Sequence, residues 1–319
     1  MTRARQGGAA LLAAMLTVTL VATFAAASLW QQWRSVEIEA ADRTRVQSGW
    51  ILTGALDWAR LILREDRNTT DHFGEPWAVP LQEARLGTFL AADPGNNMDL
   101  GDADNVFLSG EITDLQSRLN LGNLLQAGQG HQEWLLVFGR LFTALGLPQA
   151  HLKRLAENLR FAGDISVDNL NAARAPLRPN RVEQLVWLGV PPETVQALQP
   201  YVTLLAPANV PVNVNTAPAE VIYAAIPDIS MADAQRLVAE RQRQPFGKPS
   251  DLKPLLPEDV VWPQGKVQFQ SMFFEIRGRL RMDDVTIEER SLVHRVRPEV
   301  RVLHRERVAP SLPVPAAGR

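Results

Sequence analysis

Five histidines, His72, His131, His151, His294 and His304, are scattered through the 319 residues, and none lies at readable spacing from a nucleophile. The HExxH, GxSxG, Walker and GxGxxG patterns that mark metalloprotease, hydrolase and nucleotide chemistry do not occur. The residues therefore predict no catalysis, and His72 reads as a structural hydrogen-bonder. With zero Cys there is neither a disulfide nor a thiolate zinc site. Hard oxygen ligands in a flexible loop would suit Ca²⁺. Asp99, Asp102 and Asp104 make a candidate loop. The expectation is no cofactor, with Ca²⁺ as the one candidate ion.

The most specific chemistry is a bond to be cut. A short basic leader with Arg3 and Arg5 ends in Gly7-Gly8 and runs directly into the apolar stretch Ala9 to Trp30. An ordinary secretory signal places its small residues after the apolar core. Here the Gly pair lies before it, where prepilin peptidase cuts pilin-like precursors. Two other outcomes stay open: a signal cut at Ala25-Ala26-Ala27 with a mature start near Ser28, and an uncleaved anchor. Gly7 to Trp30 carries no charged side chain, and its roughly 24 residues suffice to cross a hydrocarbon core. The two arginines put the N-terminus in the cytoplasm and the rest outside.

The elements that must position this junction follow. No proline interrupts Gln31 to Arg64, and Trp50, Ile51, Gly54, Ala55, Trp58, Leu61 and Ile62 form an apolar helical stripe expected to dock on a globular head. Val106 to Ile112 reads as a strand, and Asp114, Gln116, Arg118 and Asn120 alternate beyond it, so they would share a strand face and join the head to its neighbour by hydrogen bonds. From about Leu121 to Leu256 the period is helical, with Trp134 to Leu145 one helix closed by Gly146 and Pro148. Alternating strands return around Phe273, Ile276, Ile287, Val293 and Val302.

Two segments of the helical block repeat a helix, tight turn, helix pattern. One is Val182 to Leu198 around Val190; the other is Ala219 to Leu237 around Ile229, approached by Val212-Asn213-Val214-Asn215-Thr216-Ala217. They resemble helix-hairpin-helix units. DNA-binding versions use a Gly-rich turn so that backbone N–H groups reach phosphates. Here Pro191-Pro192 and Asp228 with Ser230 stand in those turns, and the net charge is −2. No nucleic acid partner is expected, although a membrane-tethered DNA-binding protein is the alternative reading. Thr216 or Asn215 is expected to cap the following helix, with Pro218 early in it.

Five stretches in order carry a family resemblance: the Gly8-Ala9 junction, DHFGEPWAVPL from Asp71, ITDLQSRLNLGNL from Ile112, VNVNTAPAEVI from Val212, and FFEIRGRLR followed by ERSLVHR from Phe273 to Arg295. Together they resemble the minor pseudopilin K family of the type II secretion system. The resemblance implies cleavage between Gly8 and Ala9 and N-methylation of Ala9. It also implies Ala13 in place of the usual glutamate, with Leu11 and Leu12 beside it in the assembly helix. It further implies partnership with minor pseudopilins I and J and with prepilin peptidase, and a place at the tip of the periplasmic pseudopilus.

The expected fold is α+β: a pilin-like fold whose long N-terminal helix packs on an antiparallel sheet, carrying a large all-helical insertion. The expected organisation is a leader (1–8), a transmembrane assembly helix (9–30) and its amphipathic continuation (31–65). The first part of the head (66–120) and the helical insertion (121–258) come next, the hairpin units lying at about 182–199 and 213–252. The closing strands (259–307) and a disordered tail (308–319) complete it. The expected location is the inner membrane, single pass, with the head in the periplasm.

Overall fold

The computed structural model describes residues 7–91, 105–164, 166, 170–282 and 285–309. The expected tail and leader, and the Asp99/Asp102/Asp104 loop, lie wholly or largely outside the described residues. The chain divides into two compact units, residues 1–55 and residues 56–319. Helix α1 (Gly7–Glu65) is one uninterrupted helix of 59 residues.

In the first unit the N-terminal half of α1 presents its apolar side chains outward; Leu12, Leu16 and Phe24 are all exposed. Its few hydroxyls are internally satisfied, Thr17 donating to the Ala14 carbonyl at 2.8 Å and Thr23 to the Leu20 carbonyl at 2.8 Å. An apolar helix whose threonine hydroxyls bond back to its own carbonyls suits a hydrocarbon environment. Over Ala9–Glu65 it is long and apolar enough to cross a membrane.

The second unit begins with the last turns of α1. Leu56, Ala59 and Leu63 pack with Trp77 on Phe274, Ile276, Val293 and Val300 of the sheet. This corrects the expected docking stripe in part, since Ile62 does pack against this core. Trp50, Trp58 and Leu61 are exposed, and Leu56, Ala59 and Leu63 are the positions that turn inward. The helix is apolar on two opposite faces, so period alone does not say which face is buried.

The sheet has the order β1-β2-β7-β8-β9, antiparallel throughout: β1 (Leu81–Arg85), β2 (Val106–Asp114), β7 (Phe273–Met282), β8 (Val285–Val296) and β9 (Glu299–Val308). Strand β1 and the short helix α2 (Leu86–Ala91) carry no clear pattern in the sequence. Phe274 lies opposite Val293 and Ile276 opposite Ser291 on the α1 face; Arg277 lies opposite Arg290 on the other. Since β2 pairs directly with β7, the insertion leaves and re-enters the head between adjacent strands.

The insertion is built from α3 (Gln129–Ala144), α4 (Gln149–Gly163), α5 (Pro192–Leu198), α6 (Ala219–Ala225), α7 (Met231–Arg241) and α8 (Pro249–Leu252). Phe138, Leu141, Phe142, Leu155, Ile222 and Leu237 share one large core. It is not all-helical. Two short parallel pairings tie it down, β3 (Leu119–Asn120) with β4 (Val202–Thr203) and β5 (Val212–Asn213) with β6 (Val267–Gln268). Two-residue strands carry too little periodicity to read.

Both hairpin units are present. In the first, a 3₁₀ helix (Val182–Leu188) ends at Gly189, whose φ of 74° suits glycine, and Val190 is buried. In the second, Asp228 takes φ 61° between α6 and α7, and Ile229 is buried. Ser230 and Asp233 form the capping box of α7. The expected cap of α6 is corrected: α6 starts at Ala219, and the side chains of Asn215 and Thr216 are committed elsewhere. The alternating run from Asp114 to Asn120 is also corrected, because Leu115–Ser117 forms a 3₁₀ turn that breaks the strand.

Candidate functional site

The expected processing and assembly residues all lie in the first two turns of α1. Gly8 is helical, and Ala9, Leu11, Leu12 and Ala13 are helical and exposed. Ala9, Leu12 and Ala13 share a face by helical spacing, and Leu11 turns away from it. Two glycines open the helix, and each costs about 1 kcal/mol relative to alanine. The backbone at the Gly8-Ala9 bond is thus the cheapest part of the helix to unwind.

A second arrangement, deep in the second unit, locks the insertion to the sheet. Asp114, at the end of β2, is buried. Its Oδ2 accepts from the Thr216 hydroxyl at 2.5 Å, the Ser271 hydroxyl at 2.7 Å and the Asn213 amide at 3.2 Å. Its Oδ1 accepts from the Gln116 backbone N–H at 2.7 Å. Burial pushes this carboxyl up, against the pull of those four donors. Gln116 reaches further: its Oε1 accepts from the Met272 N–H at 2.6 Å, and its Nε2 donates to the Pro211 carbonyl at 2.8 Å. Asn120 and Asn123 in turn hold Leu205 and Val210, their Oδ1 atoms accepting backbone N–H groups at 2.8 and 2.9 Å. Gly122 is required between them, since a Cβ there would collide with the Leu205 carbonyl oxygen.

The expected joining role therefore fits Asp114, Gln116 and Asn120. Arg118 is the exception; it faces a cleft instead.

The loop after α1 completes the joint. Arg295, at the end of β8, donates to both oxygens of Asp71 at 2.5 Å, to Asp66 at 2.7 Å and to the Ser271 carbonyl at 2.7 Å. Its guanidinium also sits 4.8 Å from the Phe274 ring centre. Asp71 accepts from the Ser271 N–H at 2.6 Å, and burial raises its carboxyl to about 6 despite Arg295. Glu75 accepts from Trp77 Nε1 at 2.6 Å, Asn68 Nδ2 at 2.7 Å and the His72 N–H at 3.1 Å. His72 plays the structural part expected, its Nδ1 accepting from the Gly74 N–H at 3.1 Å. Oxygens of Asp66, Asp71 and Glu75 lie within 4.8 Å of one another, a spacing that could ligate a cation. Arg295 and the neighbouring N–H donors already serve them. Around Asp164, the carboxylate accepts from Ser166; Ile165 and residues 167–169 lie outside the described residues.

Asp71, Asn213, Ser271 and Arg295 do not stand out in the sequence as site residues. Arg295 alone carries a signal: strand alternation with Ser291 and Val293 puts it on the buried face, where an arginine needs an acid. Thirty-five acidic residues offer no way to choose its partners.

A long apolar N-terminal helix whose C-terminal turns pack on an antiparallel sheet defines a pilin-like fold. Two family models match, both described as Type II secretion system (T2SS), protein K, over residues 117–208 and 212–264. Both matches support assignment of the chain to the type II secretion system protein K family. It is 25% identical to the type II secretion system protein K of Pseudomonas aeruginosa, over 99% of this chain and 97% of the relative. It is 24% identical to that of Pectobacterium carotovorum, over 95% and 97%. Its fold is similar to a chain in the crystal structure of the GspK-GspI-GspJ complex from the enterotoxigenic Escherichia coli type 2 secretion system. That match has a TM-score of 0.58 and 19% identity, covering 84% of this chain and all of the other.

Proposed function

We infer that this chain is a non-catalytic subunit of the periplasmic pseudopilus, anchored in the inner membrane by α1 with its head in the periplasm. Prepilin peptidase removes residues 1–8 by cutting between Gly8 and Ala9, and Ala9 becomes N-methylated. The mature subunit assembles with minor pseudopilins of the I and J types, starts the pseudopilus, occupies its tip and supports export of folded proteins across the outer membrane.

One observation carries this reading: an exposed apolar helix that begins at the Gly7-Gly8 pair and has Ala13 five residues into the mature chain. A glutamate at that position would serve to neutralise a neighbouring subunit's N-terminus. A subunit lacking it suits the end of the filament, where no such neighbour needs the contact. The similar solved structure is a complex of K with an I and a J component, which supports the choice of partners.

The test is co-purification of the full chain, expressed with its I- and J-type pseudopilins and extracted in detergent. The reading expects one complex containing all three, retained in an Ala13→Glu variant but with secretion reduced. Recovery of the chain alone from cells containing both partners would overturn it.

A further inference from the structure

A cleft of about 530 Å³ opens between the outer face of the sheet and the insertion, within the size range of ligand sites. Its sheet wall carries Glu275, Arg277, Arg290 and Glu306, its insertion wall Arg181 and Glu183, and Arg118 enters from the turn after β2. Asn180, Gln184, Gln196 and Gln199 line the same space, a row of amides that can both donate and accept.

The charges are not settled among themselves. Arg277 is ion-paired at 3.2 Å to Glu111, 3.3 Å to Glu275 and 3.5 Å to Glu288. Arg181 and His304 lie 3.6 and 3.7 Å from Glu306, and Glu183 accepts from Gln199 at 2.8 Å. The side chains of Arg118 and Arg290 have no hydrogen bond or ion pair to any described residue, and Nε of Arg290 is buried without a partner. Arg290 also stands directly opposite Arg277 in the β7–β8 ladder, where like charges are destabilising. Arg118 is the third cation of the group; burial lowers its pKa first, and Arg277 and Arg290 lower it further against Glu275.

Arg277 is served by Glu111, Glu275 and Glu288 and Arg181 by Glu306, which leaves Arg118 and Arg290 as the lining guanidiniums without an acid. A carboxylate presents two oxygens, one for each of these two guanidiniums. We propose that this cleft is a peptide-binding site in which Arg118 and Arg290 receive a single carboxylate from an acidic segment of a partner protein. The planar guanidinium fork suits a carboxylate, and the amide row suits the flanking peptide backbone. The site does not depend on which pseudopilins the chain assembles with.

The test is calorimetric titration of the detergent-solubilised full chain with a blocked tripeptide bearing a central glutamate. The same tripeptide with glutamine, and inorganic phosphate, are the comparison ligands. The glutamate peptide should saturate the protein, and the glutamine peptide should bind at least tenfold more weakly. Arg118→Gln and Arg290→Gln should each weaken glutamate-peptide binding at least tenfold while leaving the melting temperature unchanged or higher, because each relieves a crowded cation. Equal affinity for the two peptides, absence of saturable binding, or unchanged binding in both variants would overturn the proposal. Tighter binding of phosphate than of the glutamate peptide would overturn the carboxylate assignment.

Discussion

Arg295 and Asp71, 224 residues apart in sequence, meet in the interior with one guanidinium nitrogen 2.5 Å from both carboxylate oxygens. The pair ties the end of β8 to the loop that follows α1. Through Ser271 and Asn213 it continues to Asp114 and the insertion.

Removing the cation should cost far more than the pair contributes. Arg295→Met leaves the buried Asp71 without its cation, a loss of about 3–5 kcal/mol for a broken buried pair. Denaturant unfolding of the two proteins measures it. A loss below about 1 kcal/mol would mean that water reaches this joint.

The same carboxylate should leave a signature in pH. Burial raises Asp71 to about 6 in the folded chain, above the ordinary 3.8, so between those values the folded state holds more protons than the unfolded. Its contribution to stability is fully present below pH 3.8 and is lost as pH rises through about 6. Asp71→Asn lacks this dependence. The stability of the wild type relative to Asp71→Asn should therefore fall from pH 4 to pH 7 and then level off. A flat or rising difference would contradict the raised carboxyl.

The inward face of α1 is tested by a matched pair. Leu63 is fully buried and Leu61 is 41% exposed. Leu63→Ala should cost about 2–5 kcal/mol and Leu61→Ala within about 0.5 kcal/mol. Thermal unfolding of the two variants decides, and equal losses would put Leu61 back on the sheet-facing stripe that helical period alone suggests.

What can be read from the sequence depends on the reach of each signal. The apolar run after Gly8, the α3 pattern and the alternation of β7 and β8 are local, and period reveals them. The hairpin turns around Val190 and Ile229 are visible as a repeat. Which face of α1 turns inward is not, because Trp50, Trp58 and Leu61 are as apolar as Leu56 and Leu63. The joint is half legible. Asp114, Gln116 and Asn120 stand out as polar residues in an apolar stretch, yet their donors come from positions about 85 to 157 residues away. Thr216 looks like a helix cap because Thr before Ala-Pro-Ala-Glu is a local cap pattern. The buried Asp114 carboxylate, which needs donors, takes its hydroxyl instead. Arg118 shares the sequence spacing of the joint residues and not their role, since the 3₁₀ turn at Leu115–Ser117 swings it toward the cleft.

The central claim, that Gly8 is a cut releasing an assembly subunit, is most directly tested by mass spectrometry of the mature N-terminus. The protein should be isolated from membranes of cells that carry its secretion system. The account predicts a chain beginning at Ala9 with a methylated amine. A chain that keeps Met1, or one that begins near Ser28, would contradict it.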